Sequence, residues 1–563
     1  MRSIIIGFFV CLALILAAWF FLRPTHATLV LTNGAIHTVD DSMRVVEAVA
    51  IDGDMIVGVG TTKEIMHGFT ADRVIDLQGK AVYPGFTDAH AHLEGLGIAM
   101  MTLDLTGDAS IAMIRDKVAK ESARTGGKHW VRGRGWDQNL WPGGRFPTAD
   151  DLVTPGPQAP VFLVRIDGHA AWVNKAVLDL AGITSATPDP LGGKILRASN
   201  GTPTGVLLDN AMDLVRAKMP PPTRDERIHA VRTAVAECLR LGLTGVHDMG
   251  VDLELIGIYQ ELEKKAELPF RVYAAVDGPG PAMDSMLVRG PIPGDAHAHV
   301  VVRAVKLYAD GALGSRGAAL IEPYSDDPGN RGLTMGSAEG LRNLVGSAVR
   351  SGFQVCTHAI GDRANAMVLD AYEHVLQDAA ATKDLRLRVE HAQVLAPADI
   401  PRFARLGVIP SMQPTHCTSD LPWAESRLGP VRVRGAYAWR SLLDAGSIIP
   451  GGSDFPVERP SPLLGFASAV SRQDADGQPS GGWYPEQCMT RAEALKAFTR
   501  WAAFASFREA TLGRIERGML ADLTVLNEDI MKIPVRSIRG VGVSMTVVGG
   551  QVVYPPGGPV EVP

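Results

Sequence analysis

Apolar and polar positions along this chain fall into three patterns, and their order predicts the architecture. Near the start, two β-rich runs flank Asn33-Gly34, a hairpin signal, and Val46–Val59 follows with Asp52-Gly53-Asp54 as a second turn. Arg73–Leu77 and Ala81–Tyr83 complete a small β unit. The far end repeats this pattern: Ala521–Leu526 and Ser544–Tyr554 read as short strands, with a turn at Gly549-Gly550. Together the two ends predict one discontinuous β-sandwich, residues 28–83 with 508–563.

Between them, short apolar strands alternate with amphipathic helices such as Arg224–Leu241 and Ser337–Arg350. The strand candidates are Ala81–Thr87, Pro160–Ile166, Thr244–His247, Val300–Tyr308, Phe353–Thr357, Leu385–Glu390, Val408–Met412 and Ile448–Gly451. Eight such strands within residues 84–507 predict an α/β fold, a (β/α)8 TIM barrel. A doubly wound sheet is the alternative, but no Gly-rich phosphate loop follows the first strand. Residues 109–220 are more than one β–α unit needs and read as an insertion over the barrel mouth.

The third pattern is the run Ile4–Leu22, nineteen uncharged residues between Arg2 and Arg23. It is just long enough to span a bilayer. Residues 1–27 are therefore expected to be a cleaved signal peptide or an uncleaved membrane anchor. Either places the body outside the cytoplasm, periplasmic or extracellular, with membrane contact only through this segment.

Composition narrows the function. Hydrophobic residues at 46% and charged residues at 21% exclude a disordered chain. A net charge of −6 without a long basic run leaves no footprint for nucleic acid. Five Cys without a CxxC pair exclude a disulfide scaffold and a zinc ribbon. A small-molecule substrate remains.

Catalytic side chains of such a barrel follow the C-terminal ends of its strands. Those positions hold Asp88-Ala-His90-Ala-His92, Lys306 with Asp310, Thr357-His358, Glu390-His391 and Gly452-Ser453-Asp454. His-x-His on a strand sends both imidazoles to one face, an arrangement suited to a divalent ion such as Zn2+. Alone the motif is weak, since fifteen His in 563 residues give roughly 0.4 such pairs by chance. Asp295-Ala-His297-Ala-His299 repeats it, but ahead of a strand, about 23 Å from Lys306 at the extended rise. That pair is expected to be an ordinary loop.

These motifs, from Pro84-Gly-Phe-Thr-Asp-Ala-His90 through Asp310-Gly-Ala-Leu-Gly-Ser315 to Gly452-Ser-Asp454-Phe-Pro456, resemble the amidohydrolase superfamily. The family 3 branch, which includes N-substituted formamide deformylases, is the nearest in pattern. Asp167-Gly-His169-Ala-Ala-Trp172-Val-Asn174 and Asn200–Gly205 also resemble that branch, and the resemblance spans roughly residues 28–555. It implies that His90 and His92 bind one metal, His358 and His391 another, and that Lys306 bridges as a carboxylysine. Asp454 would ligate metal and take the proton of the attacking water. The cofactor is then one or two divalent ions, and the reaction is hydrolysis of a non-peptide C–N bond. An ester or lactone, or a non-catalytic scaffold on the same fold, stays open. So do two structural roles, Lys306 paired to Asp310 and Asp454 as a helix cap.

Further candidates around the mouth are His169, facing the substrate carbonyl, Trp136 with Trp141 as an aromatic wall, and Arg316, Gln413 and His416 as substrate contacts.

Overall fold

The computed structural model describes residues 24–557, apart from 155, 157–158, 166–169, 191–192 and 379–383. The chain divides into two compact units, Met1–Leu93 with Ala234–Pro563, and Glu94–Thr233. The larger holds a parallel seven-stranded sheet: β1 (Phe86–Ala91), β2 (Leu243–Val251), β3 (Arg271–Asp277), β4 (Val300–Tyr308), β5 (Gln354–Ala359), β6 (Arg388–His391) and β7 (Ile409–Ser411), paired in that order.

The eighth position belongs to residues 449–452. They form no strand, but they hydrogen-bond on both sides: Gly452 N donates to Met412 O at 3.0 Å, and Ala89 N donates to Gly451 O at 3.0 Å. The ring of strands is thereby nearly closed. Gly452 is required there, because a β-carbon would stand 2.6 Å from the His90 backbone nitrogen.

Two of the expected strands are placed differently. Pro160–Ile166 is not in the barrel; Val161–Arg165 belongs to a six-stranded sheet of the smaller unit. Its place is taken by β3, whose sequence RVYAAVD is nearly all buried. Ala81–Thr87 splits in two, with Ala81–Pro84 in another sheet and Phe86 opening β1. The helices between strands follow their apolar spacing. Ala338–Arg350, between β4 and β5, is capped by the Ser337 side chain and buries Leu341, Val345, Ala348 and Val349.

The chain ends share a sheet. Leu523–Leu526 runs antiparallel to Ala81–Pro84, with Val525 opposite Val82. A second sheet of four strands uses only residues 25–76. Leu29, Leu31, Val49 and Ile51 from that sheet share one core with Val82, Leu523, Val525 and Val547. The first strand begins at Thr25, so the expected leader boundary at residue 27 cuts into a strand where Ala27 is already buried. The apolar run 4–22 lies outside the described residues. Among the described residues no helix is long and apolar enough to cross a membrane.

The smaller unit centres on three tryptophans. Trp136 and Trp141 stack at 5.9 Å, and Trp172 lies 6.2 and 6.0 Å from them. Each indole N–H is satisfied by a backbone carbonyl, of Leu163, Asp108 and Thr148 respectively.

A buried ion pair joins β3 to the C-terminal strands. Arg271 Nε and Nη2 donate to Asp522 at 2.5 and 2.9 Å, and Gly549 N donates to the same carboxylate at 2.8 Å. Removing one partner leaves the other charge buried. Asp522→Ala is therefore expected to cost about 3–5 kcal/mol, read as a fall in the urea midpoint. Lys175→Ala, which breaks an exposed pair with Asp179, should change stability by less than ~1 kcal/mol.

Candidate metal centre

The strand period places Asp88 and His90 on one face of β1, and His92 follows just past its end. Asp88, deepest, accepts from Ser453 N at 3.0 Å and Ser453 Oγ at 2.6 Å. That contact fixes the residue before Asp454. His90 is fully buried; its Nε2 stands 3.1 Å from Lys306 Nζ and 3.6 Å from Asp454 Oδ1. His92 Nε2 is 3.2 Å from the same oxygen. On the other side of the carboxylate, His416 Nε2 lies 3.3 Å from Asp454 Oδ2.

Two triads result, His90/His92/Asp454 and His391/His416/Asp454. Within each, the ligand atoms lie within 4.8 Å of one another. His358 packs against His391 with ring centroids 4.6 Å apart, and its Nε2 faces Asp310 Oδ1 at 3.5 Å. His358 Nε2 is buried without a hydrogen-bond partner. His391 and Asp454 both adopt left-handed backbone, with φ of 71° and 60°. Each such residue costs on the order of 1–3 kcal/mol and persists only where its surroundings enforce it.

Behind the rings stands a second layer of polar groups. His90 Nδ1 is 2.5 Å from Glu390 Oε2, His92 Nδ1 donates to Met249 O at 2.8 Å, and His391 Nδ1 donates to Gln413 Oε1 at 2.8 Å. For His90 and His391 an acceptor at Nδ1 fixes the tautomer whose Nε2 carries the lone pair, whereas His92 also faces Asp454 through Nε2 and, against its burial, is raised by that carboxylate. Glu390 is in turn held by Arg388 at 2.8 and 3.0 Å, and Arg388 also reaches Ala89 O and Ser411 Oγ. Both members of that pair are fully buried.

The electrostatics suit a cation. Burial, reinforced by the neighbouring Lys306, pushes His90 down to about 4 and His358 to about 3, so both are neutral with free lone pairs at pH 7. Burial also lowers Lys306, against the pull of Glu390 and Asp454. For Asp454 burial works the other way, but hydrogen bonds from His416 and His92 outweigh it and hold the carboxylate well below its usual range. His416 gains what Asp454 loses. Despite burial, its contacts with Asp454 and Glu458 push it up to about 10.

The amidohydrolase family (Amidohydro_3) matches residues 73–554. The Bacillus subtilis protein YtcJ is 36% identical across 93% of this chain and 98% of its own length. This chain belongs to the amidohydrolase family. An N-substituted formamide deformylase of Arthrobacter pascens is 29% identical over 93% of this chain and 98% of that enzyme. Among solved structures, a metal-dependent hydrolase from Pyrococcus furiosus superposes with a TM-score of 0.74 at 28% identity, covering 90% of this chain and all of that one.

Against this amidohydrolase frame, the expected residues divide. His90, His92, Lys306, His358, His391 and Asp454 stand together at the strand ends. Asp310 does not pair Lys306; its carboxylate accepts amide hydrogens from Ala319, Ile360 and Gly361. Gln413 is buried behind His391 and orients it. Arg316 is engaged by Asp326 at 3.1 and 3.0 Å. Trp136 is wholly buried in the core of the smaller unit. His169 lies outside the described residues. The sequence reading missed Arg388 and Glu390 as supports of His90. The signal was present: an Arg and a Glu two apart in a strand share a face, and buried charges there require each other.

The duplicated pentapeptide supplies a test. His297 is half-exposed and pairs with Asp54, while His299 Nδ1 donates to Leu268 O, both before β4 begins. His90→Ala is expected to lose bound metal by elemental analysis, and His297→Ala to retain it in full. Equal losses would place the centre elsewhere.

Proposed function

We propose that this chain is a metal-dependent hydrolase of a non-peptide C–N bond, amide- or formamide-like. The observation that carries the reading is the pair of triads sharing Asp454 at the strand ends. The donor set fits a divalent ion such as Zn2+: imidazole nitrogens held in their lone-pair tautomer, an ionised carboxylate, and a buried His358 nitrogen without a partner. The likeness to a formamide deformylase supports the C–N bond.

When bound, one or two such ions bring the pKa of water to ~7 and polarise a carbonyl oxygen. The chain supplies the rest. Asp454 accepts the proton of the attacking water on a carboxylate oxygen and returns it to the leaving nitrogen. The amide bond breaks, leaving an acid and an amine. Glu390 and Arg388 hold His90 in register, and Gln413 does the same for His391. Lys306 is proposed as a carboxylysine. Its neutral Nζ adds CO2, forms an N–C bond and releases one proton. No carboxylate pairs it among the described residues, and the carbamate replaces a cation in this field with an anion. His169 remains the proposed contact to the substrate carbonyl.

The test is a substrate screen with Zn2+ and bicarbonate, in which N-formyl, N-acyl and cyclic amides are run beside esters and lactones. Amide turnover is expected, abolished by chelation and restored by Zn2+. Turnover confined to esters or lactones, or surviving metal removal, would overturn the assignment. Lys306→Ala should lower metal content and activity together, activity by more than about 100-fold, since loss of an outer-shell partner alone costs 10–100-fold. A folded Lys306→Ala protein with full metal and normal turnover would exclude the carboxylysine.

A further inference from the structure

The ends of β3 and β4 carry two side chains on the solvent side of the centre. Tyr273 and Ala275 of β3 share one core with Ala304 of β4, and period two puts Asp277 on the same face, one step further out. On β4, Lys306 and Tyr308 follow Ala304 in the same way. Asp277 stands opposite Lys306 in the parallel ladder, one strand away, about 4.8 Å. Tyr308 links the two. Its ring centroid is 5.4 Å from Lys306 Nζ and 6.1 Å from the His358 ring, and its hydroxyl donates to Asp277 Oδ1 at 3.2 Å.

Other carboxylates at the strand ends are occupied. Asp248 holds Leu93 N and the Tyr259 hydroxyl, Asp310 takes three amide hydrogens, and Asp454 faces histidines. Asp277 is exposed. Among the described residues its carboxylate accepts only the Tyr308 hydroxyl and has no ion-pair partner. It caps no helix, since the next one, Pro281–Arg289, starts from Gly280. An exposed carboxylate is ordinary on an outer surface, but this one follows the inward face of a barrel strand beside Lys306. Gly250, at the end of β2, leaves it room: a β-carbon there would stand 3.0 Å from the Tyr308 hydroxyl oxygen and 3.5 Å from Asp277 Oδ1.

We propose that Asp277, steadied by Tyr308, binds a protonated amino group of the substrate, so that the site takes amides whose substituent ends in an ammonium. The proposal rests on the hydrolase reading above and leaves the roles of Asp454 and Lys306 there unchanged. Tyr308 engages Oδ1, and Oδ2 is left for the ligand. An ionised carboxylate only accepts, and an ammonium only donates. Hydrogen bonds between two charged partners are roughly twice as strong as neutral ones, which favours an ammonium over a hydroxyl or an amide N–H. The scissile carbonyl then lies toward the strand-end histidines and the amino end toward Asp277, with the Tyr308 ring between them.

The experiment compares ligands that differ only at the far end. Zn2+-loaded wild type, Asp277→Asn, Asp277→Glu and Asp277→Lys are titrated calorimetrically with N-methanesulfonyl diamines of graded length, inert mimics of the formamides. Two companion series end in a methyl group or in a carboxylate. Zinc per chain and thermal melts check that each variant is intact. Wild type is expected to bind the ammonium series about 10–100-fold more tightly than the methyl series. Asp277→Asn should abolish that preference, Asp277→Glu should keep it at a different chain length, and Asp277→Lys should turn it toward the carboxylate series. A preference absent from wild type, or surviving in Asp277→Asn, would overturn the proposal. Hydrolysis of the matching N-formyl compounds is followed in parallel. Turnover without the ammonium preference overturns the proposal alone, whereas the preference without turnover of any amide supports it and overturns the C–N reading.

Discussion

The negative charge on Asp454 organises this molecule's chemistry. Five imidazoles and a lysine converge on a largely buried rim, and none of them is stable there as a cation without an anion to face. Asp454 supplies that anion and uses both oxygens, one toward His90 and His92, the other toward His416. Its own ionisation depends on the same contacts, because burial alone would favour the neutral acid. Removing the carboxylate would leave the remaining groups without a common centre.

The fold delivers Asp454 by constraint, not by a regular strand. Residues 449–452 fill the eighth position of the barrel too briefly for a ladder, yet they bond to β7 and β1. Asp88 then grips Ser453 through its backbone and hydroxyl, and Asp454 N donates to His90 O at 2.7 Å. These contacts hold Asp454 in left-handed backbone. The cost is local, and the gain is a carboxylate aimed across the barrel mouth. His391, also left-handed at the end of β6, turns by the same device onto the rim beside Glu390.

Much of this was legible in the residue pattern. Strand-terminal positions named the rim because their side chains alternate with period two, and the strand ends share one face of the barrel. The misplaced strand shows the limit. Pro160–Ile166 and Arg271–Asp277 are both short β-rich runs bounded by Pro or Gly. Local pattern tells that each is a strand, and says nothing about which sheet it joins. That is decided by long-range pairing, here with β2 and β4 for one and with Val131–Trp136 for the other. The supports of the site were less visible for the same reason. Gln413 behind His391 and Glu458 behind His416 lie 22 and 42 residues from the rings they hold. Trp136 was read as an aromatic wall because its type fits a binding surface; its three-ring packing needed coordinates to reveal.

The most direct test of the centre is anomalous diffraction at the zinc edge from crystals of metal-loaded protein. The account predicts a peak about 2.0–2.2 Å from Nε2 of His90, Nε2 of His92 and an oxygen of Asp454. Metal-loaded crystals with no peak at that rim, or with a peak at His297 and His299 instead, would contradict it.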